Sequence, residues 1–159
     1  MVEFALILTP LMFVLLGIMQ MGLVLNAYVT IANATREGGR SATVYLYDRT
    51  KTKAQNDTAR AEAARAAVRN AMGLLSTSAP QFANSGTWTA SGSTFTNGDL
   101  RVAYELPGGA SETDTRTGQN VEVRLTYHLD LIIPIVNAIL PHDSNGRLPL
   151  TAEVTMVVN

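Results

Sequence analysis

Side chains that commonly carry catalysis or bind metals are scarce in this sequence. His128 and His142 are the only histidines and cysteine is absent, which excludes thiol nucleophiles, disulfides and thiolate metal sites. Neither an HExxH pair nor a Gly-rich phosphate loop occurs. The run Asp143-Ser144-Asn145-Gly146 is spaced like the start of a calcium loop, but the distal bidentate glutamate is missing, so we expect a plain turn. The sequence therefore predicts no catalytic residue, no cofactor, no metal site and no enzymatic activity, with His128 an exposed structural histidine on a strand.

Glu3 is the charged residue whose position suggests a specific role. A carboxylate at the edge of a long apolar helix is costly unless a cation, a hydrogen bond or the helix N-terminal dipole compensates it. Two interpretations stay open: Glu3 is a solvated acid that helps to start the helix, or it pairs with the free amine of Met1 on a neighbouring subunit and sets the axial register. A chain that begins Met1-Val2-Glu3 is also expected to be a processed product whose basic leader has been removed.

The apolar stretch from Phe4 to Leu25 is the element that would position Glu3. Its 22 residues would form a helix about 33 Å long, which is enough to cross a bilayer core. No Lys, Arg, Asp or Glu occurs between Glu3 and Arg36. The whole chain is 47% hydrophobic and 16% charged, against about 25% charged in ordinary soluble domains. We expect residues 4–25 to be a membrane anchor that also forms the core of an assembly.

Several residues in this helix are candidates for contacts between subunits. Pro10 removes a helix hydrogen bond, so a kink or local melting near Leu6 to Pro10 is expected. Gly17 and Gly22 permit close approach of a neighbouring helix, and Gln20 needs a polar partner from its own backbone or from another helix. The predicted assembly interface consists of Met1, Glu3, Phe4, Leu8, Pro10, Leu11, Phe13, Leu15, Gly17, Gln20, Gly22, Tyr28 and Ile31.

A helical period continues past Leu25. Each glycine of the pair Gly38-Gly39 weakens the helix by about 1 kcal/mol relative to alanine, which makes a bend plausible there. We place the end of the helix between Tyr47 and Lys53, so residues 1–50 are predicted to be one long N-terminal helix. Apolar and small residues fall near one stripe and charged residues lie off it, with Tyr28, Ile31, Ala34 or Thr35, Gly38 and Ala42 on the stripe and Arg36, Glu37 and Arg40 off it.

Residues 51–159 are predicted to form an α+β globular domain that opens with a helix. Lys51 to Asp57 is typical of a polar connector, and the helix is predicted over about residues 58–76, with Thr58 as its cap and Glu62 and Arg65 as an i,i+3 pair. Its arginines, Arg60, Arg65 and Arg69, are expected to be solvated, and its apolar face is predicted to be Ala59, Ala63, Ala66, Ala67, Leu74 and Leu75.

Strands are predicted in the remaining chain, from about residue 87 to residue 158. Three segments alternate apolar and polar residues, over 100–106, 121–131 and 148–158. Trp88 and Phe95 anchor shorter edge strands that the Asn97-Gly98 turn closes. The expected architecture is α+β, with a long N-terminal helix and a second helix packed on an antiparallel sheet of about three to five strands.

The run Leu131 to Leu140 is almost entirely apolar and is too short to span a bilayer. Three interpretations stay open, namely a buried turn under the sheet, a contact between subunits, and a surface that dips into lipid, because exposed apolar patches usually mark interaction sites. The candidate contact residues are Ile132, Ile133, Ile135, Val136, Ile139 and Leu140.

The first quarter of the chain resembles a known family. Val2-Glu3-Phe4-Ala5-Leu6 opens the apolar helix, and Asn26-Ala27-Tyr28 and Asn33-Ala34-Thr35-Arg36-Glu37-Gly38-Gly39-Arg40-Ser41-Ala42 follow it. These segments resemble the TadE/TadG-like proteins of tight-adherence pilus systems, which are relatives of type IV pilins. The resemblance implies a pilin-like fold, a precursor cut by a prepilin-type peptidase after a glycine, delivery through the inner membrane, and incorporation into or support of a pilus. In this class the acid usually lies at the fifth mature position, so Glu3 implies either missing residues at the start or different processing.

The leading functional prediction is a structural pilin-like subunit that polymerises through its N-terminal helix into an extracellular filament. It would lie in the inner membrane before assembly, form a homo-oligomeric helical polymer, and depend on the pilus assembly machinery and the peptidase. One alternative is a minor, membrane-resident TadE-like pseudopilin that primes pilus assembly or secretion. The other is a single-helix membrane-anchored binding domain that uses the loops near Trp88 or Ile132.

Two further features of the sequence bear on partners and modification. The net charge of −1 supplies no broad positive field, so nucleic-acid binding is not expected. Asn33 and Asn56 begin N-x-T sequons, which matter only in a source that glycosylates its proteins.

Overall fold

The computed structural model describes residues 2–44, 47–78, 87–106, 108, 115–132 and 140–159. It has the predicted α+β, pilin-like arrangement of a long apolar N-terminal helix, a second helix and an antiparallel five-stranded sheet. The elements are α1 (Val2–Thr43), α2 (Lys53–Met72), α3 (Leu75–Ser78), β1 (Thr89–Ser91), β2 (Thr94–Asn97), β3 (Leu100–Glu105), β4 (Asn120–Asp130) and β5 (Arg147–Val157).

The chain divides into two compact units. The N-terminal unit comprises Met1–Val29 and His128–Leu150, and the main unit comprises Thr30–Tyr127 and Thr151–Asn159. Helix α1 and strands β4 and β5 each contribute residues to both units. The membrane-length apolar segment therefore belongs to the N-terminal unit, and most of the sheet belongs to the main unit.

Helix α1 runs from Val2 to Thr43 and is helical at Pro10, so the predicted local melting is absent. It ends earlier than the predicted window of 47–53, where the Thr43 hydroxyl donates to the carbonyl of Arg40 at 2.8 Å. The predicted stripe is confirmed in the main unit, because Ile31, Ala34, Thr35, Gly38 and Ala42 are buried there. Arg36, Glu37 and Arg40 are exposed, as expected for residues off the stripe.

The glycine pair on α1 serves packing. A Cβ added at Gly38 would overlap Cγ2 of Val68 on α2 and would lie 3.3 Å from the carbonyl oxygen of Ala64. A Cβ at Gly39 would lie 2.9 Å from Cγ1 of Val154 on β5. Because α1 stays helical through both residues, the two glycines bring α1 into close contact with α2 on one side and with β5 on the other.

Helix α2 begins at Lys53, five residues before the predicted start near Thr58. Thr52 is the N-cap: its hydroxyl accepts the N–H of Gln55 at 3.3 Å, and the Gln55 side chain accepts the N–H of Thr52 at 2.9 Å. This capping box satisfies two backbone donors at once. The spacing Thr52-x-x-Gln55 is visible in the sequence and is typical of a capping box. It indicates a helix start at Lys53, which the predicted start near Thr58 did not take into account.

The buried face of α2 also differs from the prediction. Glu62 and Arg65 form the predicted i,i+3 pair at 3.4 Å, and Arg69 is exposed. Arg60 and Arg65 are buried, however, so the prediction that they are solvated was wrong. The predicted apolar face of this helix is also wrong by about one helical position, because Ala66 and Leu74 are exposed. The residues that α2 buries are Asn56, Asp57, Arg60, Ala61, Ala64, Arg65, Val68 and Met72.

The sheet is a meander in the order β1-β2-β3-β4-β5. Neighbouring strands from β1 to β4 are antiparallel, with Phe95 opposite Val102 and Val102 opposite Val123. At the β4–β5 side, Gln119 accepts the N–H of Val158 at 2.9 Å. The three long strands lie within one residue or so of their predicted ranges, and the Asn97-Gly98 turn closes β2 and β3 with Gly98 at a φ of 58°.

Alternation along the strands places the core of the main unit on one face of the sheet. Most of the alternate apolar residues in the three predicted strands, counted from Leu100, Val121 and Leu148, are buried, but Leu106 is exposed because β3 ends at Glu105. The buried apolar side chains on this face are Phe95, Leu100, Val102, Tyr104, Val121, Val123, Leu125, Tyr127, Ala152 and, just beyond β5, Val158. Ala103, between Val102 and Tyr104, is also buried but lies on the opposite face.

Candidate assembly surface

The apolar part of α1 exposes nearly all of its large apolar side chains. Phe4 is 69% exposed and Phe13 is 50% exposed, and both are among the predicted interface residues. Soluble monomers rarely expose contiguous apolar surface of this extent. Leu8, Leu11 and Leu15, which also belong to the predicted interface, are exposed as well.

One helix in the described part of the chain is long and apolar enough to cross a membrane, and it is α1. Only 6% of its most apolar window is buried within the chain. A core helix of a soluble protein would instead bury that surface against its own domain. The exposed apolar segment therefore needs lipid or other protein chains around it.

Glu3 lies exposed in the first turn of α1. A carboxylate at this end interacts favourably with the helix dipole, and exposure in the single chain fits both interpretations of Glu3. The second interpretation requires the amine of Met1, which lies outside the described residues. Pairing between Glu3 and a neighbouring Met1 therefore stays a prediction.

The small residues of the predicted interface are open to neighbours. Gly22 and Pro10 are exposed and Gly17 is half-buried. A Cβ at Gly17 or Gly22 would meet no described atom within 4 Å. Among the described residues, these two glycines therefore make no close contact of the kind that Gly38 and Gly39 make.

Two residues of the predicted interface are buried within the chain. Ile31 is 0% exposed in the main unit. Gln20 is 3% exposed in the N-terminal unit, where its Oε1 accepts the N–H of Ile132 at 3.1 Å. Both side chains are thus buried within the chain itself, whereas Tyr28, one helical turn before Ile31, is half exposed. Contact of these residues with a neighbouring subunit stays a prediction.

The apolar run after β4 is partly described. Ile132 is 68% exposed and Leu140 is half-buried. The other candidate contact residues, Ile133, Ile135, Val136 and Ile139, lie outside the described residues. The N–H of Ile132 donates to Gln20 Oε1, so this oxygen finds its partner in the segment after β4 rather than in its own helix or in another helix.

The main unit contains a buried ionic cluster that the sequence analysis missed. Arg116 donates to both carboxylate oxygens of Asp57, at 2.7 and 3.2 Å, and both side chains are only 5% exposed. The guanidinium carbons of Arg60 and Arg116 lie 5.7 and 4.7 Å from the ring centroid of Tyr104. Burial raises the pKa of the Tyr104 phenol above its ordinary value. The sequence predicts a connector at Asp57, and the pattern of Arg60 on the following helix gives no sign that the two residues share a site.

This cluster borders a groove of about 630 Å³ in the main unit, whose walls include Lys53, Phe95 and Tyr104. Arg116 has a φ of 63°, a conformation that non-glycine residues seldom adopt. Its side chain also donates to Gln119 at 3.2 Å. These bonds hold the segment before β4 against α2, so the cluster is explained by folding of the main unit.

A second polar cluster lies in the N-terminal unit. His128 Nδ1 is 2.8 Å from Asp143 Oδ2, and Arg147 Nε is 3.3 Å from the same oxygen. His128 is therefore half-buried and partnered, which corrects the prediction of an exposed histidine. Asp143 also accepts the N–H groups of Asn145 and Arg147, so the predicted plain turn is confirmed. No group of three or more His, Asp or Glu side chains suited to a metal ion occurs in the described part of the chain.

The start of the chain matches a known protein family. No curated protein and no solved structure matches the chain significantly. The model of the TadE-like protein family matches residues 1–40, which confirms the resemblance predicted from the opening Val2-Glu3-Phe4-Ala5-Leu6 and from the segment around Arg36-Glu37-Gly38. The matched residues include the whole exposed apolar segment of α1. Over its first 40 residues, this chain is similar to TadE-like proteins.

Proposed function

We propose that this chain is a non-enzymatic, pilin-like structural subunit of a tight-adherence pilus system, and that it polymerises through α1 into an extracellular filament. The observation that carries the proposal is the exposed apolar surface of α1 from Phe4 to Leu25 within the segment that matches TadE-like proteins. Before assembly, the same surface holds the chain in the inner membrane.

The energetics favour α1 over the outer surfaces as the polymer contact. Burying a large apolar side chain away from water contributes about 1.5–3 kcal/mol, whereas a surface ion pair contributes about 0–1 kcal/mol. In a bilayer, however, these side chains have already left water. Transfer from lipid to a filament gains only packing and helix contacts, so assembly requires machinery, and we propose the pilus assembly apparatus and a prepilin-type peptidase as partners.

A different use of the chain, as a membrane-anchored binding domain with a contact at Trp88, has less support. The Trp88 indole N–H donates to Glu62 Oε2 at 2.7 Å, so the polar atom of that side chain is used within the main unit. A minor pseudopilin that stays in the membrane would have the same exposed α1 as a major subunit. Abundance and location distinguish these two roles.

Shearing of cells followed by electron microscopy and quantification of this chain tests the proposal. A major subunit will be the bulk of the released fibres. Purified fibres will resist high salt and dissociate in mild detergent, because detergent replaces helix contacts. Retention of the chain in the inner membrane, at a low copy number, would instead identify a minor pseudopilin. Fibres that dissociate in salt but not in detergent would contradict polymerisation through α1.

A further inference from the structure

Gln20 is a buried polar side chain inside an otherwise apolar segment. It is the only Gln, Asn, Lys, Arg, Asp or Glu between Phe4 and Leu25, and it is 3% exposed. Its Oε1 accepts the backbone N–H of Ile132, two residues past the end of β4, at 3.1 Å. Both residues belong to the N-terminal unit, so this contact joins α1 to the start of the β4–β5 connection.

The position of Gln20 along α1 fixes the depth of this contact in a membrane. Gln20 precedes Leu25 by five residues, which is about 7.5 Å along a helix axis. If residues 4–25 span the hydrocarbon core, Gln20 lies inside it. The backbone of Ile132 is within hydrogen-bond distance of Gln20 and therefore lies at a similar depth.

The surroundings of the contact are suited to lipid. Leu16, Met19, Leu23 and Ile132 line a small cavity beside Gln20, and the Ile132 side chain is 68% exposed. No charged residue occurs from Leu131 to Pro141, and Asp130 and His142 flank this run. A charge in this segment would be expensive in hydrocarbon.

The hydrogen bond supplies what a non-helical backbone needs in lipid. An unsatisfied backbone N–H in the hydrocarbon region costs several kcal/mol, so irregular backbone is tolerated there only when protein groups satisfy it. Gln20 provides an acceptor for the N–H of Ile132. In water no such acceptor would be required, because solvent would satisfy the exposed amide.

We infer that Leu131 and Ile132 insert into the acyl chains of the membrane leaflet nearer to Leu25, with Gln20 as the acceptor that permits their backbone to enter. The inference rests on the proposed membrane anchoring by α1. It assigns to this chain a second lipid contact besides the spanning helix. Its occupant is the bilayer itself, since the contact is continuous with the exposed apolar surface of α1.

Depth-dependent fluorescence quenching tests this inference on the full chain. The absence of native cysteine permits single-cysteine variants labelled with the fluorophore NBD in phosphatidylcholine vesicles. Three sites are compared, namely Ile132→Cys, Leu15→Cys within the span, and Thr89→Cys on the exposed strand β1. Quenchers are lipids that carry a nitroxide at a shallow or a deep acyl carbon, and aqueous iodide.

The expected result is loss of emission from Ile132→Cys with the shallow lipid quencher and loss from Leu15→Cys with the deep one. Thr89→Cys should respond to iodide alone. Lipid quenching at Leu15 together with iodide quenching alone at Ile132 would overturn the inference and leave membrane anchoring intact. Absence of lipid quenching at Leu15 would overturn the proposed anchoring itself.

A second substitution tests the role of Gln20. In the Ile132→Cys background, Gln20→Leu removes the acceptor and should shift quenching at position 132 from lipid towards iodide. Met21→Leu, at an exposed neighbouring position, is the matched control and should leave the pattern unchanged. Unchanged lipid quenching in the Gln20→Leu variant would overturn the assignment of this residue as the required acceptor.

Discussion

Asp57 and Arg116 form a two-point ion pair across 59 residues of sequence, with nitrogen to oxygen distances of 2.7 and 3.2 Å. Both side chains are 5% exposed. Removing one partner of a buried pair leaves an uncompensated buried charge, which is far more costly than loss of a pair at the surface. The stability of the main unit should therefore depend strongly on this contact.

Asp57→Ala should lower the free energy of unfolding of the main unit by about 3–5 kcal/mol. Trp88 is the only tryptophan and lies in the main unit, so its fluorescence during denaturant unfolding in detergent micelles provides the measurement. The control is Lys51→Ala, which removes the exposed pair between Lys51 and Asp48 and should cost no more than about 1 kcal/mol. Equal effects of the two substitutions would contradict this prediction.

Gly38→Ala should destabilise the main unit even though alanine favours helix by about 1 kcal/mol over glycine. The new methyl group would overlap Cγ2 of Val68, and overpacking of this kind costs about 1–3 kcal/mol. The same Trp88 unfolding assay measures the change. The double variant Gly38→Ala/Val68→Ala should lose less stability than the sum of the losses of the two single variants, because the smaller side chain at position 68 makes room for the new methyl group. A loss equal to that sum would argue against the contact.

Asp143 should make the turn before β5 sensitive to acid. The N–H of Arg147, followed by that of Asn145 and the charge of Arg147, holds the pKa of the Asp143 carboxyl below its ordinary value of 3.8. Stability from a carboxyl with a lowered pKa is present above the unfolded value and is lost as the pH falls through the folded value. Amide protons of Asn145 and Arg147 should therefore lose protection only below about pH 3.8, as measured by NMR hydrogen exchange.

Asp143→Asn is the matched variant for this acid sensitivity. The asparagine keeps an oxygen that can accept the two backbone N–H groups, but it has no proton to gain in this pH range. The turn should persist and its acid dependence should disappear. Persistence of the same pH dependence in the variant would assign the effect to another group.

Glu3→Ala should leave the main unit folded and reduce incorporation into polymer. If Glu3 pairs with the Met1 amine of a neighbour inside an apolar bundle, loss of one partner costs about 3–5 kcal/mol, enough to abolish most assembly. Glu105→Ala makes the same charge change at an exposed strand end and should assemble normally. Fibre yield after shearing is the measurement, and normal yield from Glu3→Ala would leave Glu3 as a solvated first-turn acid.

The fold was predictable wherever periodicity and local signals agree. Val121, Val123, Leu125 and Tyr127 alternate in sequence and are all buried, because a strand directs alternate side chains to opposite faces. The long apolar helix was predictable from the absence of charge between Glu3 and Arg36.

Features that depend on tertiary contacts were not predictable. Arg60 and Arg65 have the pattern of a solvated helix face, yet both are buried, and Arg60 donates to the carbonyl of Thr115 at 3.1 Å. Partners so distant in sequence leave no local pattern. In the candidate assembly surface, the exposure of Phe4 and Phe13 could be predicted from the apolar composition of the helix. The hydrogen bond from Ile132 to Gln20 could not, because it depends on where the chain runs 112 residues later.

The glycine pair on α1 limits how the N-terminal segment can be exchanged between proteins. Gly38 and Gly39 lie inside the matched segment of residues 1–40, but the atoms they approach belong to Val68, Ala64 and Val154, far outside it. A chimera that transplants residues 1–40 onto another head domain would carry the glycines without the surfaces that fit them. A chimera that folds would have to include α2 and β5 as well, or provide a helix and a strand of matching shape in the host protein. The segment that can be exchanged between proteins is therefore longer than the segment that is similar in sequence.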